Sequence, residues 1–418
     1  MASRAAGNAA VKPAGKRPGT DPVASTHAPI TSIEDLRRLA ERRVPRMFYD
    51  YVDCGSWTGA TYRANEEDLA AIRLRQRVGI DISRRNLSSR MLGEDVAMPV
   101  ALAPAGLAGM QWADGEILAA RAAERFGVPF ILSTVSVCSI EDVAAHTSRP
   151  FWFQLYLMKD RAFMERLVAR ARDAGCSALV LTMDLPVQGQ RHLDIKNGLS
   201  TPPRPTLRNL VNLATKPRWC LNMARTERRT FRNIVGHVEG VSDASSLAHW
   251  VSEQFDQTLG WDHVRWLRRI WDRKLIVKGI MDPEDARAAA CAGADAIVVS
   301  NHGGRQLDGA PSSISALPAI AEAVGARTEV LFDGGVRSGQ DVLKALALGA
   351  GGVLIGRAFL YGLGAMGEEG VTRCLEIIRR ELDLTMALCG ITDTADTARA
   401  LLTAPPYPEP AVRMAAPV

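Results

Sequence analysis

The 418-residue chain has no apolar stretch approaching the ~20 residues that a membrane-spanning helix requires, so a helical span is excluded. It also has no Cys-x-x-Cys pair. Its seven cysteines (54, 138, 176, 220, 291, 374 and 389) are odd in number and irregular in spacing. Reduced, buried thiols fit that usage better than a disulfide framework or a zinc site, and they point to a cytosolic-type compartment. Six histidines (27, 146, 192, 237, 249 and 263) show no ligand spacing, so no metal site is expected. Residues 1–28 lack the apolar core of a secretory signal and read as a disordered arm. Their scarcity of acids leaves an organelle-targeting peptide as the alternative. Residues 401–418 read as a C-terminal tail. Hydrophobic content of 47% and charged content of 23% are those of a soluble globular protein.

What is present is an alternation. Short apolar runs at 97–103, 129–133, 151–156, 178–183, 274–279, 295–300, 328–333 and 352–355 read as buried strands. Amphipathic stretches such as Asp114–Phe126, Asp160–Ala174, Pro283–Ala292 and Gly339–Leu348 separate them. Eight strand–helix units predict a (β/α)8 barrel, an α/β TIM barrel spanning 29–400. A doubly wound open sheet is disfavoured, because Ala103-Pro104-Ala105-Gly106 stands where its Gly-x-Gly-x-x-Gly turn would be. Residues 31–60 read as an N-terminal helical segment that forms a lid over one end. Residues 185–260 form a long insertion after the fourth strand.

Nearly every predicted strand ends in residues with chemical potential. In chain order these are Pro104–Gly106, Ser133, Gln154 with Tyr156, Thr182 with Asp184, Lys278, His302 with Arg305, Asp333-Gly334-Gly335, and Gly356-Arg357. Barrel enzymes gather such ends at one mouth. Asp333-Gly334-Gly335-Val336-Arg337 and Ile355-Gly356-Arg357 read as a phosphate site, with unobstructed backbone N–H groups and two guanidiniums. His302 and Arg305 place a base near neutral pKa beside a rigid cationic fork suited to a carboxylate.

The string Ser300-Asn301-His302-Gly303-Gly304-Arg305-Gln306-Leu307-Asp308-Gly309 resembles the active-site signature of the FMN-dependent α-hydroxy-acid dehydrogenases. The resemblance extends over roughly residues 30–400. It implies FMN as cofactor and oxidation of an L-2-hydroxy acid to the 2-oxo acid. By the same resemblance His302 is the base and Asp184 its support, while Tyr51, Tyr156, Arg191 and Arg305 bind substrate. Pro104, Ala105, Gly106, Ser133, Gln154, Thr182, Lys278 and Ser300 line the flavin, with Lys278 beside its N1–C2 carbonyl. Asp333, Gly334, Gly335, Arg337, Gly356 and Arg357 complete the cofactor site. Whether His302 takes the α-proton or the hydroxyl proton stays open at this stage.

Two stretches, Ala103–Met110 and Leu132–Cys138, look most like the bacterial L-lactate dehydrogenase branch of the family. Valine stands at 135 where the glycolate-oxidising members carry tryptophan, and Gly106 replaces an alanine common in the oxidases. L-lactate is the expected substrate. The alternatives are (S)-mandelate, oxygen as acceptor, or a non-redox phosphate-binding lyase or isomerase. No haem-binding domain is expected ahead of the barrel, so electrons leave to a quinone or a cytochrome. Residues 202–237 hold eight basic residues, Arg204, Arg208, Lys216, Arg218, Arg225, Arg228, Arg229 and Arg232, against one acid, Glu227. With Trp219, Leu221 and Phe231 interleaved, that segment reads as a docking face for an anionic membrane on the cytoplasmic side. Nucleic-acid contact is the competing reading of such a cluster, and an ordinary solvated loop is the simplest. No nucleic-acid partner is expected. Related mandelate dehydrogenases use this loop for membrane attachment, and the resemblance also implies a homo-oligomer, a tetramer. As a surface insertion, 202–237 is expected to contribute little to the core.

Overall fold

The N-terminal segment starts where local chemistry predicts. Ser32 caps helix α1 (Ile33–Arg43) in a reciprocal capping box with Asp35. Acids occupy the first turn of α1 and arginines the last, matching the helix dipole. Pro45 ends that run and opens α2 (Arg46–Val52), which is followed by α3 (Ala60–Ala71). The computed structural model describes residues 29–199, 206–238, 254 and 256–403. The expected arm at 1–28 and most of the tail fall outside the described residues, as do 200–205 and most of 239–255. The barrel unit runs from Ser32 onward.

A short antiparallel hairpin, β1 (Ser89–Met91) and β2 (Glu94–Val96), precedes the barrel. Eight parallel strands follow: β3 (Val100–Leu102), β4 (Ile131–Ser133), β5 (Trp152–Leu155), β6 (Ala178–Thr182), β7 (Lys274–Ile280), β8 (Ala296–Val299), β9 (Glu329–Asp333) and β10 (Gly352–Ile355). Their order is β3-β10-β9-β8-β7-β6-β5-β4. The bridge Leu102↔Phe130 joins β3 to the approach of β4 and closes the circle. The expected (β/α)8 barrel is thus observed. Its strands are buried on both faces because helices cover the outside and side chains fill the inside.

The covering helices are α4 (Gly115–Phe126), α5 (Ile140–Ala144) and α6 (Arg161–Asp173), then α7 (His192–Lys196), α8 (Leu207–Ala214) and α9 (Pro217–Arg225) in the insertion. After these come α10 (Trp261–Ile270), α11 (Pro283–Cys291), α12 (Ser313–Val324), α13 (Gly339–Ala347), α14 (Arg357–Met366) and α15 (Glu368–Cys389).

The hairpin plugs the N-terminal end of the barrel. Met91, Leu92 and Val96 join one apolar cluster with Ile131, Trp152, Val180, Ile276 and Leu354. Leu92 and Gly93 both adopt left-handed backbone at the turn, and Glu329 accepts the Leu92 N–H at 2.9 Å.

The insertion corrects an expectation. Residues 206–238 are not a detachable surface loop. Asn233 and Ile234 are fully buried. The Asn233 amide accepts from Ile140 N–H at 2.9 Å and donates to Ser136 Oγ at 2.9 Å. Trp219 stacks on Phe48 and donates its indole N–H to the Met110 carbonyl. Several basic residues also serve the fold. Arg228 pairs with Asp114 and Asp142, Arg232 pairs with Asp142, and Lys216 donates to carbonyls at the end of α1. Charge counting along the chain missed these partners because Asp114 and Asp142 lie on other barrel units.

Asn233→Ala should therefore destabilise the whole domain. It leaves the buried Ile140 N–H without its acceptor, at a cost of about 1–3 kcal/mol. Urea unfolding followed by tryptophan fluorescence reads that loss. Unchanged stability would show that the insertion packs independently of the barrel.

Candidate active site

At the C-terminal ends of the strands lies a cavity of about 540 Å³. That volume suits a cofactor together with a small substrate. Sixteen of the twenty expected site residues line it: Tyr51, Pro104, Ala105, Gly106, Tyr156, Thr182, Arg191, Lys278, His302, Arg305, Asp333, Gly334, Gly335, Arg337, Gly356 and Arg357. The other four, Ser133, Gln154, Asp184 and Ser300, stand one layer behind and hold the lining residues in place.

One polar chain joins three strand ends on one side. Ser133 Oγ donates to Gln154 Oε1 at 3.0 Å, and Gln154 Nε2 donates to Thr182 Oγ1 at 3.0 Å. A second chain joins the next three. Lys278 Nζ donates to Ser300 Oγ at 2.6 Å and pairs with Asp333 Oδ2 at 2.7 Å. Lys278 is only 4% exposed, so its charge is held in place by neighbours rather than by bulk water.

His302 sits just beyond β8 with φ of +58°, a left-handed conformation continued by Gly303 and Gly304. Its backbone N–H donates to Ser300 Oγ at 3.1 Å. Its Nδ1 lies 2.9 Å from Asp184 Oδ1. Burial alone would raise the Asp184 pKa, but the His302 charge and hydrogen bond, helped by Lys278, hold it below the ordinary value. Asp184 reaches His302 across β7 at Gly279. A Cβ there would stand 2.7 Å from the Asp184 carboxyl carbon, and Gly279 has φ of +100° at a register shift in the strand. Sequence reading passed over Gly279, although a lone glycine within a strand signals a bulge or a close approach.

On the side where a carboxylate is expected, two guanidiniums stand around one ring. Arg305 lies 4.7 Å and Arg191 5.6 Å from the Tyr51 ring centre. Arg305 also donates to the Tyr51 and Cys54 carbonyls. Arg191 Nε pairs with Asp194 at 2.6 Å. Asp194 lines the cavity and was not anticipated, although its place three residues after Arg191 was the available signal. Burial, reinforced by Tyr51 and Asp184, raises the Tyr156 hydroxyl pKa, so it remains a proton donor at neutral pH.

The residues expected to hold a phosphate are more heavily committed to the fold than the sequence suggests. Arg357 donates Nε to the Val52 carbonyl, Nη1 to Gly303 and Nη2 to Cys54, at 2.8, 2.9 and 2.7 Å. Of five guanidinium N–H groups, two remain for an anion. Arg337 donates to Glu66 at 2.8 Å and to its neighbour's carbonyl. Gly334 and Gly335 are needed for packing as well. Cβ atoms there would meet Ser313 Oγ at 2.1 Å and the Asn65 carbonyl at 2.2 Å. The remaining wall is apolar and includes Phe48, Leu107, Met110, Val135, Val137 and Phe231, of which Phe231 comes from the insertion.

A family profile described as FMN-dependent dehydrogenase matches residues 40–404. The chain is 49% identical over 374 residues to the L-lactate dehydrogenase of Caulobacter vibrioides, covering 89% of this chain and 97% of that one. It is 46% identical over 364 residues to the L-lactate dehydrogenase of Pseudomonas syringae pv. syringae, covering 87% and 96%. Among solved structures, that of the monotopic membrane protein (S)-mandelate dehydrogenase superposes with a TM-score of 0.86 at 37% identity, covering 90% and 99%. A mandelate oxidase variant with (S)-mandelic acid superposes with a TM-score of 0.75 at 36% identity, covering 89% and 98%.

The Asp184–His302 pair has a stability signature. The folded-state pKa of Asp184 lies below its unfolded value, so its stabilisation is complete above about pH 4 and is lost as the pH falls through the folded value. Melting temperatures of wild type and Asp184→Asn should differ most at neutral pH and converge in acid. A gap that stays constant down to the lowest measurable pH would contradict the pairing.

Proposed function

The chain belongs to the FMN-dependent dehydrogenase family, and from that premise we propose that it oxidises L-lactate to pyruvate with non-covalent FMN. The observation that carries the reading is the Asp184–His302 pair, whose imidazole lines the same cavity as Lys278 and two guanidiniums. The residues fit the cofactor. Gly334, Gly335, Gly356, Arg337 and Arg357 would hold its phosphate, and Pro104–Gly106, Thr182 and Lys278 would border its ring. Bound FMN supplies the two-electron acceptor that no side chain can provide.

The chain's own residues do the rest. Arg305 and Arg191 receive the substrate carboxylate and fix the α-carbon relative to His302. The Tyr156 hydroxyl donates a hydrogen bond to the substrate oxygen. His302 Nε2 accepts a proton from the substrate, and the Asp184 carboxylate stabilises the imidazolium that results. Lys278 keeps a buried positive charge that would offset the negative charge of a reduced flavin. Family membership sets aside the non-redox lyase or isomerase reading.

A bulkier substrate, (S)-mandelate, is the alternative, favoured by the apolar wall and by the likeness to (S)-mandelate dehydrogenase. Comparing kcat/KM on the two acids decides between them. Acid precipitation should release FMN, and L-lactate added without oxygen should bleach the bound flavin. His302→Gln should retain FMN while losing ~10²–10⁴-fold or more in turnover. Recovery of FAD, or near wild-type turnover in His302→Gln, would overturn the assignment.

We further propose a peripheral position on the inner face of the cell membrane, with a quinone taking the electrons and a cytochrome as the alternative acceptor. No helix among the described residues is long and apolar enough to cross a membrane. Support comes from α8 and α9, where exposed Leu207, Leu210, Val211 and Leu221 lie among exposed Arg208, Arg218 and Arg225. Assembly as a homo-tetramer is proposed from the family resemblance, to be read by light scattering. The intact protein should bind vesicles containing anionic lipid and release them as salt screens the arginines. Indifference to such vesicles at low salt would return this face to ordinary solvent contact.

A further inference from the structure

The carboxylate-binding side of the cavity carries a charge balance that a single acid would need only in part. Arg191 and Arg305 flank Tyr51, and both line the cavity. Asp194 lines it too, 9% exposed at its side chain, and its Oδ2 lies 2.6 Å from Arg191 Nε. The Cys54 thiol connects the two halves, 3.9 Å from Asp194 Oδ1 and 3.7 Å from Arg305 Nη1. Two fixed cations and one fixed anion therefore meet around one aromatic ring, leaving a single positive charge to be neutralised. Asp194 also occupies the Nε edge of Arg191, so only the two Nη groups remain to receive a ligand.

We infer that Asp194 is a specificity-determining residue that restricts the site to 2-hydroxy monocarboxylates and excludes 2-hydroxy dicarboxylates. The inference rests on the proposed oxidation of 2-hydroxy acids in this cavity. A monocarboxylate cancels the residual charge of the receptor. A second carboxylate on the same small molecule is repelled by Asp194. In a partly buried site with an effective dielectric of about 20, two like charges roughly 6 Å apart change binding by about a hundredfold. A purely structural role for Asp194, as an anchor for Arg191, makes a different prediction: its loss would weaken every carboxylate to a similar degree.

The test compares FMN-loaded wild type with Asp194→Asn and Asp194→Ser, which remove the charge in two sizes, and with Asp194→Glu, which keeps it. The substrates are L-lactate and L-malate, and the inhibitor is oxalate, a dianion whose binding is read from the visible spectrum of the oxidised flavin. In the neutral variants the kcat/KM ratio of L-lactate to L-malate should fall by about tenfold or more, mainly through KM for malate. Oxalate should bind them more tightly than it binds wild type. The Glu variant should keep the wild-type ratio. A ratio unchanged in both neutral variants, with oxalate binding weakened or unaltered, overturns the inference and leaves Asp194 an anchor. Wild type that oxidises neither acid would instead overturn the functional reading, so the two failures are distinguishable.

Discussion

Three consecutive left-handed residues hold the active site together. His302, Gly303 and Gly304 have φ values of 58°, 64° and 70°. For a histidine that conformation costs about 1–3 kcal/mol, and it survives only where neighbours over-determine it. Here they do. A Cβ at 303 would lie 2.6 Å from Arg357 Nη1, and one at 304 would lie 2.4 Å from the Tyr62 backbone nitrogen. The turn is pressed between the end of β10 and the N-terminal segment. Arg357 ties the two together by donating to the carbonyls of Gly303, Val52 and Cys54. The imidazole is thus aimed by backbone geometry before any side-chain contact is counted.

That constraint explains why so much of the mouth is polar yet rigid. Ser300 Oγ accepts from both Lys278 and the His302 N–H, so the lysine and the histidine share one anchor. Asp184 reaches the imidazole only because Gly279 clears its path over β7. Lys278, His302 and Gln154 are each fixed by a polar neighbour, and groups held in this way stay preorganised. An imidazole, two guanidiniums and a buried ammonium therefore face one space. The same economy governs the insertion, whose Asn233 locks the loop after β4 while its Phe231 lines the cavity.

The barrel was legible because parallel strands buried on both faces read as plain apolar runs, and each of the eight runs overlaps an observed strand. The site was legible because barrel geometry turns strand ends into neighbours whatever their separation in sequence. The missed elements each carry a pattern that periodicity does not detect. Helix α3 faces inward with Thr61, Asn65 and Leu69, and Asn65 bonds to Asn301 and Ser313, so its inner stripe looks like a surface. The hairpin β1–β2 has three-residue strands and turns through Leu92 in a conformation leucine seldom adopts. The commitment of Arg357 to backbone carbonyls, and of Arg228 and Arg232 to acids on other units, depends on contacts that only the folded chain creates.

The central claim is that His302, held by Asp184, and the guanidiniums of Arg305 and Arg191 act on one small molecule together. A crystal structure of the FMN-loaded protein with pyruvate bound tests it most directly. The account predicts the pyruvate carboxylate on both guanidiniums, its keto oxygen within about 3 Å of His302 Nε2, and the His302–Asp184 bond intact. Pyruvate seated away from the two arginines, or an imidazole turned off Asp184, would contradict it.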